Sequence, residues 1–232
     1  MIKMKSVPAV LTIAAVLWSA VSVSGAPRAS ADDYFFNKIK ITLQSSVSAP
    51  NFGSDNFAGG AMSNNLRNRW AVFVIDYYPK IEKNRRAWID DVDLTLTVVF
   101  TAQSGGRKLP CVMRGVTRFA TVPIDGRRHT ATMMIPPQLL DRYLAATGSG
   151  SSVNSNTFIA EATFTDRNGT VIGRGFYGLR GSNEQQLAAE FAKYATASNA
   201  MSVEGGILSR DKTPWKIIRP DDYDLIKTDG MK

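Results

Sequence analysis

Few side chains in this 232-residue chain are able to do chemistry, and their spacing works against most of it. His129 is the only histidine. A Ser-His-Asp relay, a Cys-His pair and any two-histidine metal site would all have to run through that one ring. It shares parity with Ala131, Met133 and Ile135, which places it at the rim of a core. Cys111 is the only cysteine, so no intrachain disulfide can form. Leu109, Cys111 and Met113 alternate, and the thiol is expected to point inward as a small hydrophobe.

Gly173-Arg174-Gly175-Phe176-Tyr177-Gly178 has the spacing of a dinucleotide loop. That loop must follow a strand and open a helix within a parallel βαβ unit. Here the glycines fall in the second arm of an expected hairpin, with bulky Phe-Tyr where a phosphate would approach; a bulge or a close backbone contact is the better reading. Asp90, Asp91 and Asp93 suggest calcium, with Asp91 and Asp93 on one strand face. Two carboxylates without carbonyl-rich loop partners make a poor cage, and solvated strand-end charges are expected. Asn168-Gly169-Thr170 matches a glycosylation sequon, but a tight turn accounts for both of its first residues. No catalytic, cofactor or metal residue is therefore assigned, and the chain is expected not to be an enzyme.

Binding is the remaining kind of function. Lys80, Lys83, Arg85 and Arg86, interrupted by Glu82, form the densest cationic cluster and read as a loop between strands. Such a cluster either attracts acidic polymers or simply keeps a loop solvated. Trp70, Tyr77, Tyr78 and Trp88 flank it, and Trp215 lies among charges near the C-terminus. Exposed Trp and Tyr often serve sugar or protein surfaces, although Trp at a strand start is commonly core. The candidate contacts are Trp70, Tyr77, Tyr78, Lys80, Lys83, Arg85, Arg86 and Trp215. No nucleic-acid partner is expected.

The elements that must position these residues are strands. From Trp88 to Phe100 the apolar set Trp88, Val92, Leu94, Leu96, Val98 and Phe100 is of one parity, with Asp91, Asp93, Thr95 and Thr97 on the other. Further strands are expected over 34–43 (with a register shift near Lys38), 70–78, 109–122 (kinked or bulged at Gly115), 128–135, 157–165 and 170–177, the last two joined by a turn at Asn168-Gly169. Seven one-sided strands predict a mostly β, immunoglobulin-like β-sandwich. Two peripheral helices are expected, one opening at Pro136-Pro137 and one at Ser182 in capping-box form. Behind the second, Leu187, Ala188, Phe191, Ala192 and Ala195 form a stripe that should pack on the sandwich. Residues 44–65 and 147–156 are Ser/Asn/Gly-rich and are expected to be flexible.

The N-terminus has the layout of a secretory leader. Lys3 and Lys5 precede an apolar run from Val7 to Val23, and Ala29-Ser30-Ala31 offers a small-x-small cleavage site. The reading is a signal peptide over 1–31, a sandwich over 32–180 and a helix with a C-terminal tail over 181–232, the tail packing on the sandwich or on a partner. Cleavage would lower the formal charge from +8 to about +5 and leave a chain that does not span a membrane.

Several motifs also fit a known group. Trp88-Ile89-Asp90-Asp91-Val92, Arg114-Gly115-Val116-Thr117, Val122-Pro123-Ile124-Asp125-Gly126, Met133-Met134-Ile135-Pro136-Pro137 and Leu140-Asp141-Arg142-Tyr143 follow one another in order. This pattern resembles exported immunoglobulin-like proteins found beside type IV pilus-like machinery in Gram-negative bacteria, over the stretch from Trp88 to about Gly178. The resemblance implies a non-enzymatic periplasmic or surface accessory of a pilus or secretion apparatus, bound to envelope proteins or to itself. It brings no cofactor and no catalytic residue. A carbohydrate-binding or adhesin domain is the alternative, and it requires exposed aromatics sharing one concave face.

Overall fold

The computed structural model describes residues 34–48, 69–81, 88–104, 106–144, 157–178, 182–217 and 225–226. All of them fall within one compact unit, Ala31–Lys232. The expectations for residues 1–31, for most of 44–65 and for 147–156 lie outside the described residues.

All seven expected strands are present: β1 (Tyr34–Ser48), β2 (Arg69–Ile81), β3 (Trp88–Ser104), β4 (Arg107–Pro123), β5 (His129–Ile135), β6 (Ile159–Thr165) and β7 (Val171–Tyr177). Three short ones join them among the described residues: β8 (Met201–Glu204), β9 (Leu208–Ser209) and β10 (Leu225–Ile226). Helix α1 (Pro137–Leu144) follows β5, and α2 (Glu184–Ala195) follows β7. One sheet runs β1-β2-β5-β9, the other β10-β4-β3-β6-β7, with β8 also paired to β4. The fold is a β-sandwich.

Alternation builds the core. Leu94, Leu96, Val98 and Phe100 of β3 point inward against Phe73, Ile75 and Tyr77 of β2 and Ala131, Met133 and Ile135 of β5. Each large side chain so buried contributes about 1.5–3 kcal/mol. Phe36, Tyr77 and Phe164 close one end as a ring cluster, with centroids 4.6–5.1 Å apart.

Local backbone chemistry sets the register. Lys38 takes φ 50°, and the β1–β2 pairing slips between Asn37 and Lys40, a bulge where the alternation of Tyr34 to Leu43 also shifts. The β6–β7 turn has Gly169 at φ 77°, with the Gly169 amide donating to the Asp166 carbonyl at 2.9 Å. The Asp166 carboxylate accepts the amides of Asn168 and Thr170, which locks the three-residue loop.

Four expectations need correction. Gln44 to Ser48 is strand, not loop, because its backbone pairs with Arg69 to Val72. Trp88 is 54% exposed while Ile89 is buried, although parity placed Trp88 with the core. Asp91 adopts φ 54°, and the buried set changes parity across it. Gly115 marks no bulge, since β3 and β4 stay in register through Leu96↔Gly115. Its missing side chain makes room for Ile207, whose Cβ would lie 2.7 Å from a Cβ added there. Lastly, the cap of α2 sits one residue later than expected. Asn183 accepts the Gln186 amide at 2.9 Å, and the Gln186 side chain accepts the Asn183 amide at 3.0 Å. An asparagine is as good an N-cap as serine, so the motif alone could not choose between them.

The stripe of α2 does pack on the sandwich: Phe191 lies in a small cluster with Val99, Val112 and Ile159 on the outer face of the six-stranded sheet. The segment after it is woven into both sheets. β8 runs parallel to β4, β9 pairs with β5, and β10 lies antiparallel to β4.

Candidate interaction surfaces

The outer face of the four-stranded sheet gathers part of the sequence-derived set. On β2, Phe73, Ile75 and Tyr77 face the core, so Val74, Asp76, Tyr78 and Lys80 face outward. Cross-strand pairing sets Phe35 opposite Lys80, Asn37 opposite Tyr78 and Lys40 opposite Asp76. The Lys38 ammonium sits 5.8 Å from the centre of the Tyr78 ring, and Lys80 stands 5.8 Å over Phe35. Such contacts hold the cations on the face while leaving them hydrated. Asp76 accepts the Thr130 hydroxyl at 2.8 Å.

Tyr77 is corrected: it is fully buried, packed between Phe36 and Phe164, and cannot touch a partner. Its parity with Phe73 and Ile75 carried that information, hidden by the apolar outward residues of the same strand. Trp70 and Trp215 do come together, edge to face at 5.2 Å, each half-buried. The Trp215 carbonyl accepts Arg210 Nε at 3.1 Å. The C-terminal segment thus folds back over the end of the sheet. Lys83, Arg85 and Arg86 lie outside the described residues. Phe35, Lys38 and Lys40 were missed as contacts, since only pairing with β2 shows that they share a face with Tyr78 and Lys80.

The second surface is the side of β4 that faces away from β3. β8 takes Cys111 to Arg114 in parallel, and β10 takes Phe119 and Thr121 antiparallel. Between them Val116 is 46% exposed. Two short strands of opposite direction thus occupy that one edge.

His129 is held in a structural setting. Its Nε2 lies 2.9 Å from Asp125 Oδ1, and its ring tilts against Tyr77 at 5.7 Å. Burial raises the Asp125 carboxyl, but bonds from His129 and from the Arg127 amide outweigh it and leave the group below its ordinary value. Among the described residues no cluster of three His, Cys, Asp or Glu side chains could hold a metal. A cleft of about 230 Å³ beside α2, lined by Val99, Phe100, Thr101, Thr157, Ile159, Glu190 and Tyr194, does not include His129. Cys111 is buried, and burial pushes its thiol up to about 11. Among the described residues no helix is long and apolar enough to cross a membrane.

Comparison with known proteins follows the same outline. One protein-family model matches residues 36–229, nearly the whole span of the two sheets. The chain belongs to that family. The match takes in β8, β9 and β10, so the C-terminal strands are part of the family's own extent. No curated protein matches the chain in sequence. Among solved structures, a crystal structure of a protein from Akkermansia muciniphila superposes with a TM-score of 0.60 at 13% identity, covering 85% of this chain and 94% of that one. At that identity the likeness is one of fold.

Proposed function

We propose that the protein is a non-enzymatic interaction module of the cell envelope, exported by a cleavable leader, that serves as an accessory of a type IV pilus-like or secretion apparatus. The observation that carries this reading is the outer edge of β4. It accepts β8 in parallel and the two-residue β10 antiparallel, leaving Val116 open between them. Between those two strands, residues 115–118 pair with no strand on that side among the described residues, and adding a partner strand there needs no conspicuous side-chain signature. The ordered motifs from Trp88 to Tyr143, which resemble exported immunoglobulin-like proteins of pilus-like systems, point to the class of machinery.

The carbohydrate-binding alternative draws less support. Trp88, the most exposed aromatic among the described residues, stands on β3 of one sheet, and Tyr78 on β2 of the other, so they share no face. Site-directed photocrosslinking from position 116 in intact cells tests the proposal. The expected result is an adduct with a pilus or secretion component, identified by mass spectrometry. Absence of such an adduct, or an equal yield from position 171 on β7, would count against it.

A further inference from the structure

The two broad faces of the sandwich hold their cations in different states. On the six-stranded sheet, Arg118 grips Asp93 through two bonds of 2.7 and 3.0 Å. Arg174 reaches Glu161 at 3.1 Å, and Arg114 lies 3.7 Å from Glu204. These guanidinium forks are spent on fixed carboxylates of the same face.

On the four-stranded sheet, Lys38, Lys40 and Lys80 are exposed and form no ion pair with a carboxylate among the described residues. Asp76 is the described carboxylate of this face; it lies across from Lys40, and its Oδ1 is taken by Thr130. Arg128, also exposed, immediately precedes β5 at the same end. Trp215 of the C-terminal segment packs on Trp70, at the other end of β2 from Lys80.

The choice of lysine over arginine indicates the kind of partner. An ammonium on a flexible stem acts as a hydrated point charge, whereas a guanidinium suits one fixed planar anion. Exposed ammonium groups on one pleated face, with two half-buried rings beside them, match a diffuse field of anions. The geometry points to this end of the four-stranded sheet as a docking face for an anionic lipid surface. Lys38, Lys40 and Lys80 would meet headgroup phosphates, with Phe35 and Tyr78 at headgroup level. This inference stands apart from the β4 edge, which belongs to the other sheet.

The test is vesicle co-sedimentation of the Asp32–Lys232 polypeptide, which holds every described strand of both sheets. Phosphatidylcholine vesicles are compared with vesicles that also contain phosphatidylglycerol, at low and high salt. Binding is expected only to the anionic vesicles and should fall steeply with salt. Each lysine near the surface is worth about five-fold in affinity, so the triple variant K38Q/K40Q/K80Q should bind about a hundred-fold more weakly. The variant R114Q/R118Q/R174Q, altered on the opposite face, should lose less than about five-fold. Unchanged circular dichroism spectra establish that both variants fold. Equal binding to neutral vesicles, or a lysine variant that binds like the parent, would overturn the inference. So would equal affinity for duplex DNA with the same lysine dependence, since the face would then be a general polyanion site.

Discussion

Replacing Gly115 by alanine tests how the C-terminal segment is anchored. A Cβ at this position would stand 2.7 Å from Ile207 Cβ and 2.8 Å from its carbonyl carbon, with the carbonyl oxygen closer still. Ordinary contact begins near 3.4 Å, so the backbone around Ile207 must retreat by more than half an ångström. Gly115 lies mid-strand in β4, paired to Leu96, and cannot yield alone. If Ile207 stays, the crowding costs about 1–3 kcal/mol. If it withdraws, a side chain now 3% exposed leaves the core, at a cost of about 2–5 kcal/mol. The expected destabilisation is about 3 kcal/mol, which for a chain of this size lowers Tm by roughly 6–12 °C. Urea denaturation followed by tryptophan fluorescence measures it. Gly126→Ala is the control: its φ of 71° is strained for alanine, but nothing lies within 4 Å, so only about 1 kcal/mol should be lost. A Gly115→Ala protein within about 0.5 kcal/mol of the parent would refute the claim that Ile207 is wedged against β4.

Two further outcomes follow from single groups. Cys111 should resist alkylation in the folded protein and react once it is unfolded, because burial raises its thiol from an ordinary 9.0 to about 11. A raised folded value means this contribution is complete below pH 9.0 and is lost as pH rises towards about 11, an effect of ~2–3 kcal/mol that Cys111→Ala should remove from the alkaline limb of a stability profile. Asn183→Ala deletes the cap of α2 and should cost about 1 kcal/mol, whereas Ser182→Ala, one residue earlier, should be nearly silent in the same melt.

How much was legible in the residues can be traced element by element. The one-sided strands were readable because burial on one face and solvent on the other imprint a period of two, as in Leu94 to Phe100. The Asn168-Gly169 turn was readable because positive φ narrows the choice of residue, and the bulge at Lys38 because it interrupts the period. The β3–β4 hairpin, in which Ser104 pairs with Arg107, has its sign in the Gly105-Gly106 dipeptide of the sequence. The positive φ of Asp91 left no trace in composition, and across it the buried parity changes, with Trp88 outward and Ile89 inward.

The amino-acid order by itself determined the class of fold, the inward thiol, the lone histidine and the leader-like start, because each depends on residue type and local periodicity. Tertiary structure alone decided the rest. β8, β9 and β10 have at most four residues each, too few to show a period, and they exist because neighbouring edges satisfy their backbone groups. Likewise, Lys38 and Lys40 join Lys80 on one face only because β1 pairs with β2 in a particular register, and pairing across 30 or more residues is written in no local pattern.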